Sequence, residues 1–278
     1  MNEKKVNIRP LNRDEIKYLA IFAMTLDHIA YILLEPLLPS GATGTEIAGI
    51  AAMQGSVSYA FISFLYRLFL SIGTFTGPVM IYFLMEGYFY THDIKRYAKR
   101  LLLFAVLSQL PFMLALETTG GNMLFTLLIC LGVLYVHDHV LDRGLQTLLY
   151  ILLFFISLFT DWNLLSVPLV FFLRPAFRLE DHHRTTNTED VPKRSLSGDP
   201  FQQRRGMRNY VLYYLAVSCL CKGPLEGVTE ALGMVLGFIC IARFYNGELT
   251  MTHRKFHKYV FYIYYPAHLL VLWAIHLI

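Results

Sequence analysis

Four ionisable side chains stand out within apolar stretches of this 278-residue chain as the groups best placed to do chemistry. Asp27 and His28 interrupt the run from AIFAMTL to IAYILL. Glu86 interrupts VMIYFLM and GYFY, and His268 follows Pro266 in FYIYYPAHLLVLWAI. A charged side chain in the middle of an apolar helix costs about 2.5–3.5 kcal/mol on insertion scales, so it is usually kept because it faces a polar cavity or a partner. An imidazole in such a cavity can serve as a general base once a second group fixes its orientation. The same residues can instead join helices by hydrogen bonds across a bundle. Asp27 and His28 are adjacent, hence about 100° apart around a helix, and must face different partners.

Other polar clusters carry less. His137-Asp138-His139 has metal-binding residue types, but it stands in a polar turn without further ligands, so no metal is expected. His182 and His183 fall in a polar loop, and Asp161-Trp162 reads as an anchor at a membrane surface. Cys130, Cys219, Cys221 and Cys240 lie in or beside apolar segments, and Cys219-x-Cys221 lacks a second pair, so all four read as packing residues. No phosphate-binding loop, dinucleotide fingerprint or inverted repeat is visible, and no nucleic-acid partner is expected.

The elements that must position these groups are membrane helices. The chain is 55% apolar and 15% aromatic but only 16% charged, with a mean hydropathy of +0.46. Soluble domains carry about 25% charged residues, so the balance points to lipid as solvent. Apolar segments at roughly 16–35, 68–90, 101–116, 123–137, 145–160, 164–178, 209–222, 227–244 and 259–277 predict an all-α, polytopic helical bundle of about nine spans. The 24 Lys and Arg residues, all but Arg67 and Lys222, then fall on one face. The positive-inside rule makes that face cytoplasmic, with the N-terminus inside, the C-terminus outside and a multi-pass protein of the cytoplasmic membrane. Two crossings within 57–90 would put KRYAKR on the wrong face, so 59–72 is expected to lie at the interface and lead into the second span. Residues 179–208 read as a solvated, flexible loop within a single domain covering 1–278.

Ordered blocks along the chain resemble the TraX family, membrane proteins associated with acetylation of conjugative pilin. They are Leu26-Asp27-His28-Ile29; Gly73 and Pro78 with Met85-Glu86-Gly87-Tyr88; Arg100 through Phe112; Asn122 through Leu127; Asp161-Trp162-x-Leu164-Leu165; Tyr245-Asn246-Gly247; and Lys258 through Leu270. The family's usual Gly-Arg is Gly73-Thr74 here, and Arg67 is the cation available to substitute for it. The family is in turn similar to transmembrane acyltransferases, in which a basic residue precedes a catalytic His by eleven positions, the spacing of Lys17 and His28. The resemblance implies acetyl-CoA as cosubstrate, held from the cytoplasm by basic residues such as Lys17, Arg67 and Arg100. It implies His28 as the base for an acceptor amine or hydroxyl, with Asp27 or Glu86 setting its charge state and His268 and Asn246 lining the pocket. The acceptor would be a peptide, a pilin-like protein or another envelope component. From the residues alone, a proton-coupled transporter or flippase would use intramembrane Asp, His and Glu equally well.

Overall fold

The computed structural model describes residues 10–38, 57–181, 194–248 and 254–278, and they are overwhelmingly helical. In chain order the helices are α1 (Arg13–Ile29), α2 (Val57–Gly73), α3 (Thr76–Tyr90), α4 (Ile94–Leu116), α5 (Met123–His139), α6 (Arg143–Ser157), α7 (Asn163–Leu173), α8 (Pro200–Lys222), α9 (Pro224–Ile239) and α10 (Arg254–His276). One antiparallel hairpin interrupts them, β1 (Phe177–Asp181) paired with β2 (Arg194–Gly198). Stretches 13–37, 59–90, 94–116 and 224–244 are long and apolar enough to cross a membrane, and the helices within 123–139, 143–157 and 163–176 are apolar but shorter. The all-α membrane bundle expected from composition is the architecture observed.

Contacts group the chain into two compact units. One comprises Met1–Met80, Val106–Thr119 and Tyr213–Ile278, and the other Ile81–Ala105 and Gly120–Leu212. The boundaries at 80, 105 and 212 fall inside α3, α4 and α8, which is why no linker composition marks them.

In the first unit, α1 begins with a capping box. Asn12 Oδ1 accepts from the backbone N–H groups of Asp14 and Glu15, and the Glu15 carboxylate accepts from Asn12 N at 2.7 Å. These bonds satisfy donors that a helix start leaves open. Backbone bonds from Leu11 N to Phe244 O and from Asn246 N to Leu11 O tie this start to the chain leaving α9. Beyond Ile29 the helix widens into a π-turn, Ala30–Leu34, and closes in a 3-10 turn at Glu35–Leu37. Helix α2 runs antiparallel to α1: Tyr66 meets Tyr31 edge-on, and Thr76 Oγ1, just past the α2–α3 turn, donates to Ala20 O. Against α9 it runs parallel, with Ser71 Oγ donating to Thr229 O and Gly237 lying against Phe75 and Pro78. Packed between α1 and α9 in this way, α2 is a helix of the bundle, where the charge pattern led to the expectation of an interfacial segment.

In the second unit, two polar segments prove helical. The stretch 94–100, a basic loop by hydropathy, is the first two turns of α4, with Asp93 Oδ1 accepting from Arg96 N. Residues 200–208, expected within the flexible loop, open α8, where Asp199 Oδ1 accepts from Phe201 N. Long Lys and Arg stems let a helix continue beyond the apolar layer while its charges stay in water, so hydropathy alone ends such helices too early. Arg174 closes this unit: it contacts Asp138 at 2.7 Å, donates to Phe177 O and lies 4.8 Å over the Phe89 ring.

Candidate functional site

The seam between α1 and α10 brings together the two intramembrane histidines. Three contacts set its register, with Tyr18 Oη 2.8 Å from His257 Nδ1, Tyr264 Oη 2.8 Å from Thr25 Oγ1, and His28 Nδ1 2.7 Å from His268 Nε2. Residue numbers rise together along both helices, so α1 and α10 run parallel. The imidazoles of His28 and His268 are buried, with ring centroids 4.9 Å apart and planes 22° apart. Tyr264 stacks on the outer face of His268 at 5.0 Å.

The hydrogen bonds fix the tautomers of a neutral pair. His268 Nδ1 is 2.9 Å from the Tyr264 carbonyl oxygen, which only accepts, so Nδ1 carries the proton. His268 Nε2 is then an acceptor, and His28 must donate to it from Nδ1. The remaining nitrogen, His28 Nε2, is left with its lone pair. This is the arrangement of a general base whose second nitrogen is held by an orienting partner. The partner is an imidazole on another helix, where a carboxylate had been expected. The π-turn begins two residues after His28, a distortion found most often at functional positions.

Asp27 faces α2, as the 100° offset requires. Its carboxylate lies directly against Gly73, and a Cβ at that position would overlap it. Here glycine is required for close approach. One residue on, Thr74 Oγ1 lies 2.5 Å from the Glu230 carbonyl and 2.8 Å from that of Ser71. The buried Glu230 carboxylate accepts from Lys222 Nζ at 2.8 and 3.0 Å and from Tyr214 Oη at 3.0 Å. Gly233 lets α2 approach α9 here, because a side chain would collide with the Ser71 carbonyl.

The remaining candidates sit on other turns of the first unit or belong to the second unit. Lys17 is on the first turns of α1, 4.0 Å from Asp14 and 5.1 Å over the Phe261 ring, eleven residues or about 17 Å of helix rise before His28. Asn246 lies beside Leu11 at the start of α1, where its Oδ1 accepts from Glu248 N. It shapes the turn after α9 and sits seventeen residues, about 26 Å of rise, from the level of His28. Arg67 is on α2, two turns before Gly73. Glu86 and Arg100 belong to the second unit. Glu86 is buried in α3, and Arg100 packs 5.1 Å over the Tyr97 ring. In that unit His137 Nδ1 meets Tyr150 Oη at 3.0 Å, Asp138 is taken by Arg174, and His139 stacks on Tyr135. Among the described residues no group of three or more His, Cys, Asp or Glu could hold a metal ion.

Glu230, Lys222 and Tyr214 went unnoticed in the sequence. Glu230 is an ionisable group inside the apolar segment 227–244, so the criterion that selected Glu86 would have selected it too. Lys222 stood out only as an exception to the charge pattern.

Comparison with known proteins gives two matches and one blank. The family model described as TraX protein matches residues 12–188. The probable fimbrial assembly protein FimC, serogroup H1, of Dichelobacter nodosus is 31% identical over 172 residues, covering 57% of this chain and 59% of that protein. The chain thus spans less than two thirds of this relative's length. No solved structure matches.

Proposed function

The chain belongs to the TraX family, and from that premise we propose that it is a membrane acyltransferase of the cytoplasmic membrane, moving an acetyl group from acetyl-CoA to an amine or hydroxyl of a pilin-like or other envelope acceptor. The observation that carries this reading is the buried His28–His268 pair, in which His28 Nε2 keeps its lone pair and meets no hydrogen-bond donor among the described residues.

The reaction requires little else of the protein. His28 Nε2 takes the proton of the acceptor N–H or O–H as that atom attacks the thioester carbonyl. The tetrahedral adduct collapses with loss of the CoA thiolate, and the imidazolium returns its proton to the leaving sulfur. While charged, His28 still donates from Nδ1 to His268, so the second ring stabilises the cation and keeps the first from rotating. Arg13, Lys17 and Arg243 near the start of α1 and the end of α9 mark that end as cytoplasmic and offer cations for the CoA phosphates.

The same hydrogen bonds speak against proton transport through this pair. A proton wire needs groups that both give and take a proton at every step. Here the chain of donors ends on the Tyr264 carbonyl, which cannot pass a proton on. The arrangement supports an oriented base rather than a proton wire.

The test uses purified protein in lipid nanodiscs with labelled acetyl-CoA and a pilin-type peptide amine. Transfer of label, with saturable thermal stabilisation by acetyl-CoA, is the expected outcome. Absence of any stabilisation at saturating acetyl-CoA would overturn the proposal.

A further inference from the structure

Arg67 differs from Lys222, the other basic residue that the charge pattern leaves off the cytoplasmic face. Two of its guanidinium nitrogens, Nε and Nη2, are shut off from solvent and have no hydrogen-bond partner among the described residues. Lys222, in contrast, places its ammonium on both oxygens of Glu230. Buried donor atoms of a charged group left without an acceptor are costly, so their retention asks for a reason. The identity of the two atoms supplies one. Nε–H and Nη2–H point the same way from one edge of the guanidinium plane, and this edge is the fork that meets two oxygens of a single carboxylate or phosphate.

We infer that Arg67 is the anchor for a carboxylate carried by the acceptor, bound side-on through Nε and Nη2. The inference rests on the acyltransferase reading for what the ligand is, while the anion site itself stands on Arg67. Charge decides between the two oxyanions. Glu35, Glu226, Asp27 and Glu230 all lie within electrostatic reach of the adjacent Tyr66. A phosphate dianion would meet their repulsion twice over, whereas a carboxylate brings one charge to one fork.

Position indicates how the acceptor would lie. Arg67 precedes Gly73 by six residues, and Gly73 touches Asp27, so the anchor is about 9 Å of helix rise from the level of Asp27. Because α2 is antiparallel to α1, that displacement runs away from Lys17 and toward Tyr31. Donor phosphates held near Lys17 and an acceptor carboxylate held at Arg67 would thus approach the level of His28 from opposite ends of α1. Nine ångströms is about three residues of extended peptide, which sets the spacing between the acceptor's nucleophile and its carboxylate.

Two peptides carrying an N-terminal amine test this, identical except for Asp or Asn three residues from the amine. In nanodiscs of neutral lipid, wild-type protein is expected to acetylate the Asp peptide with at least about tenfold higher kcat/KM, mostly through KM, since a charge-assisted bidentate contact is worth about 1.5–3 kcal/mol. Arg67→Gln should bring the ratio to one, and Arg67→Lys should leave it in between. A wild-type ratio of one, or an unchanged ratio in Arg67→Gln, would overturn the inference. Thermal unfolding gives an independent reading. Removal of two buried donors without acceptors should raise Tm in Arg67→Gln, and the Asp peptide alone should raise Tm of the wild type but not of the variant. A lower Tm in Arg67→Gln would mean that Arg67 is a paired structural cation, and the inference fails. If neither peptide accepts an acetyl group, the acyltransferase reading fails, and the Tm shift by the Asp peptide still decides the anion site.

Discussion

Two polar clusters of the first unit work in opposite ways. Toward α10, His28 donates to His268, and its other nitrogen meets no hydrogen-bond donor among the described residues. On the α2–α9 side of the unit, Glu230 is saturated by Lys222 and Tyr214, and its carbonyl takes Thr74. Both clusters are buried and both contain groups that lipid disfavours. What separates them is the count of unmet donors and acceptors. A saturated cluster holds helices together, and a cluster with one lone pair left over can bind or react. Burial and residue type alone would rank the two equally.

Substitutions can break this contrast. The largest effect is expected from His28→Ala, about a 10³-fold loss of acetyl transfer measured with labelled acetyl-CoA, with a melting temperature within a few degrees of wild type, because general-base catalysis contributes about 10²–10⁴-fold. Next comes His268→Leu, which leaves His28 Nδ1–H without an acceptor and should cost about 10²-fold in kcat. His268→Gln presents an amide oxygen at a similar distance and should recover a large part of the rate, which a merely space-filling role for His268 would not predict. Glu230→Ala should act on stability instead, by about 2 kcal/mol in chemical denaturation. Lys222 is half-exposed and can turn to water once its partner is gone, which keeps the cost below that of a fully buried pair. The smallest effect is that of Gly73→Ala, about 1–2 kcal/mol of destabilisation as the new methyl pushes Asp27 aside, read as a lowered Tm. A Glu230→Ala protein that is stable but inactive, or a His28→Ala protein that unfolds, would erase the distinction between the two clusters.

Much of this was legible beforehand. The apolar segments located the helices because lipid permits backbone only where its hydrogen bonds are met within the segment. Their ends were misplaced where basic residues extend a helix past the apolar layer, as at 94–100 in α4 and 200–208 in α8. His28 and His268 were recognisable from cost alone, being polar groups in apolar surroundings. Glu230 satisfied the same criterion and was overlooked because it lies near the start of its segment. Asn246, grouped with the site by its place in a recognised block, sits at the other end of α1.

Sequence by itself therefore determined the solvent of this protein, the helices it would form and the two histidines worth explaining, because composition and period are local properties of the chain. Only the tertiary structure decided that residues 28 and 268 share a hydrogen bond, that Gly73 is small to admit Asp27, and that Lys222 is neutralised while the side-on fork of Arg67 is not. Pairing between positions some 240 residues apart depends on which helix faces meet. That is set by packing across the whole bundle and leaves no trace in the spacing along any one segment.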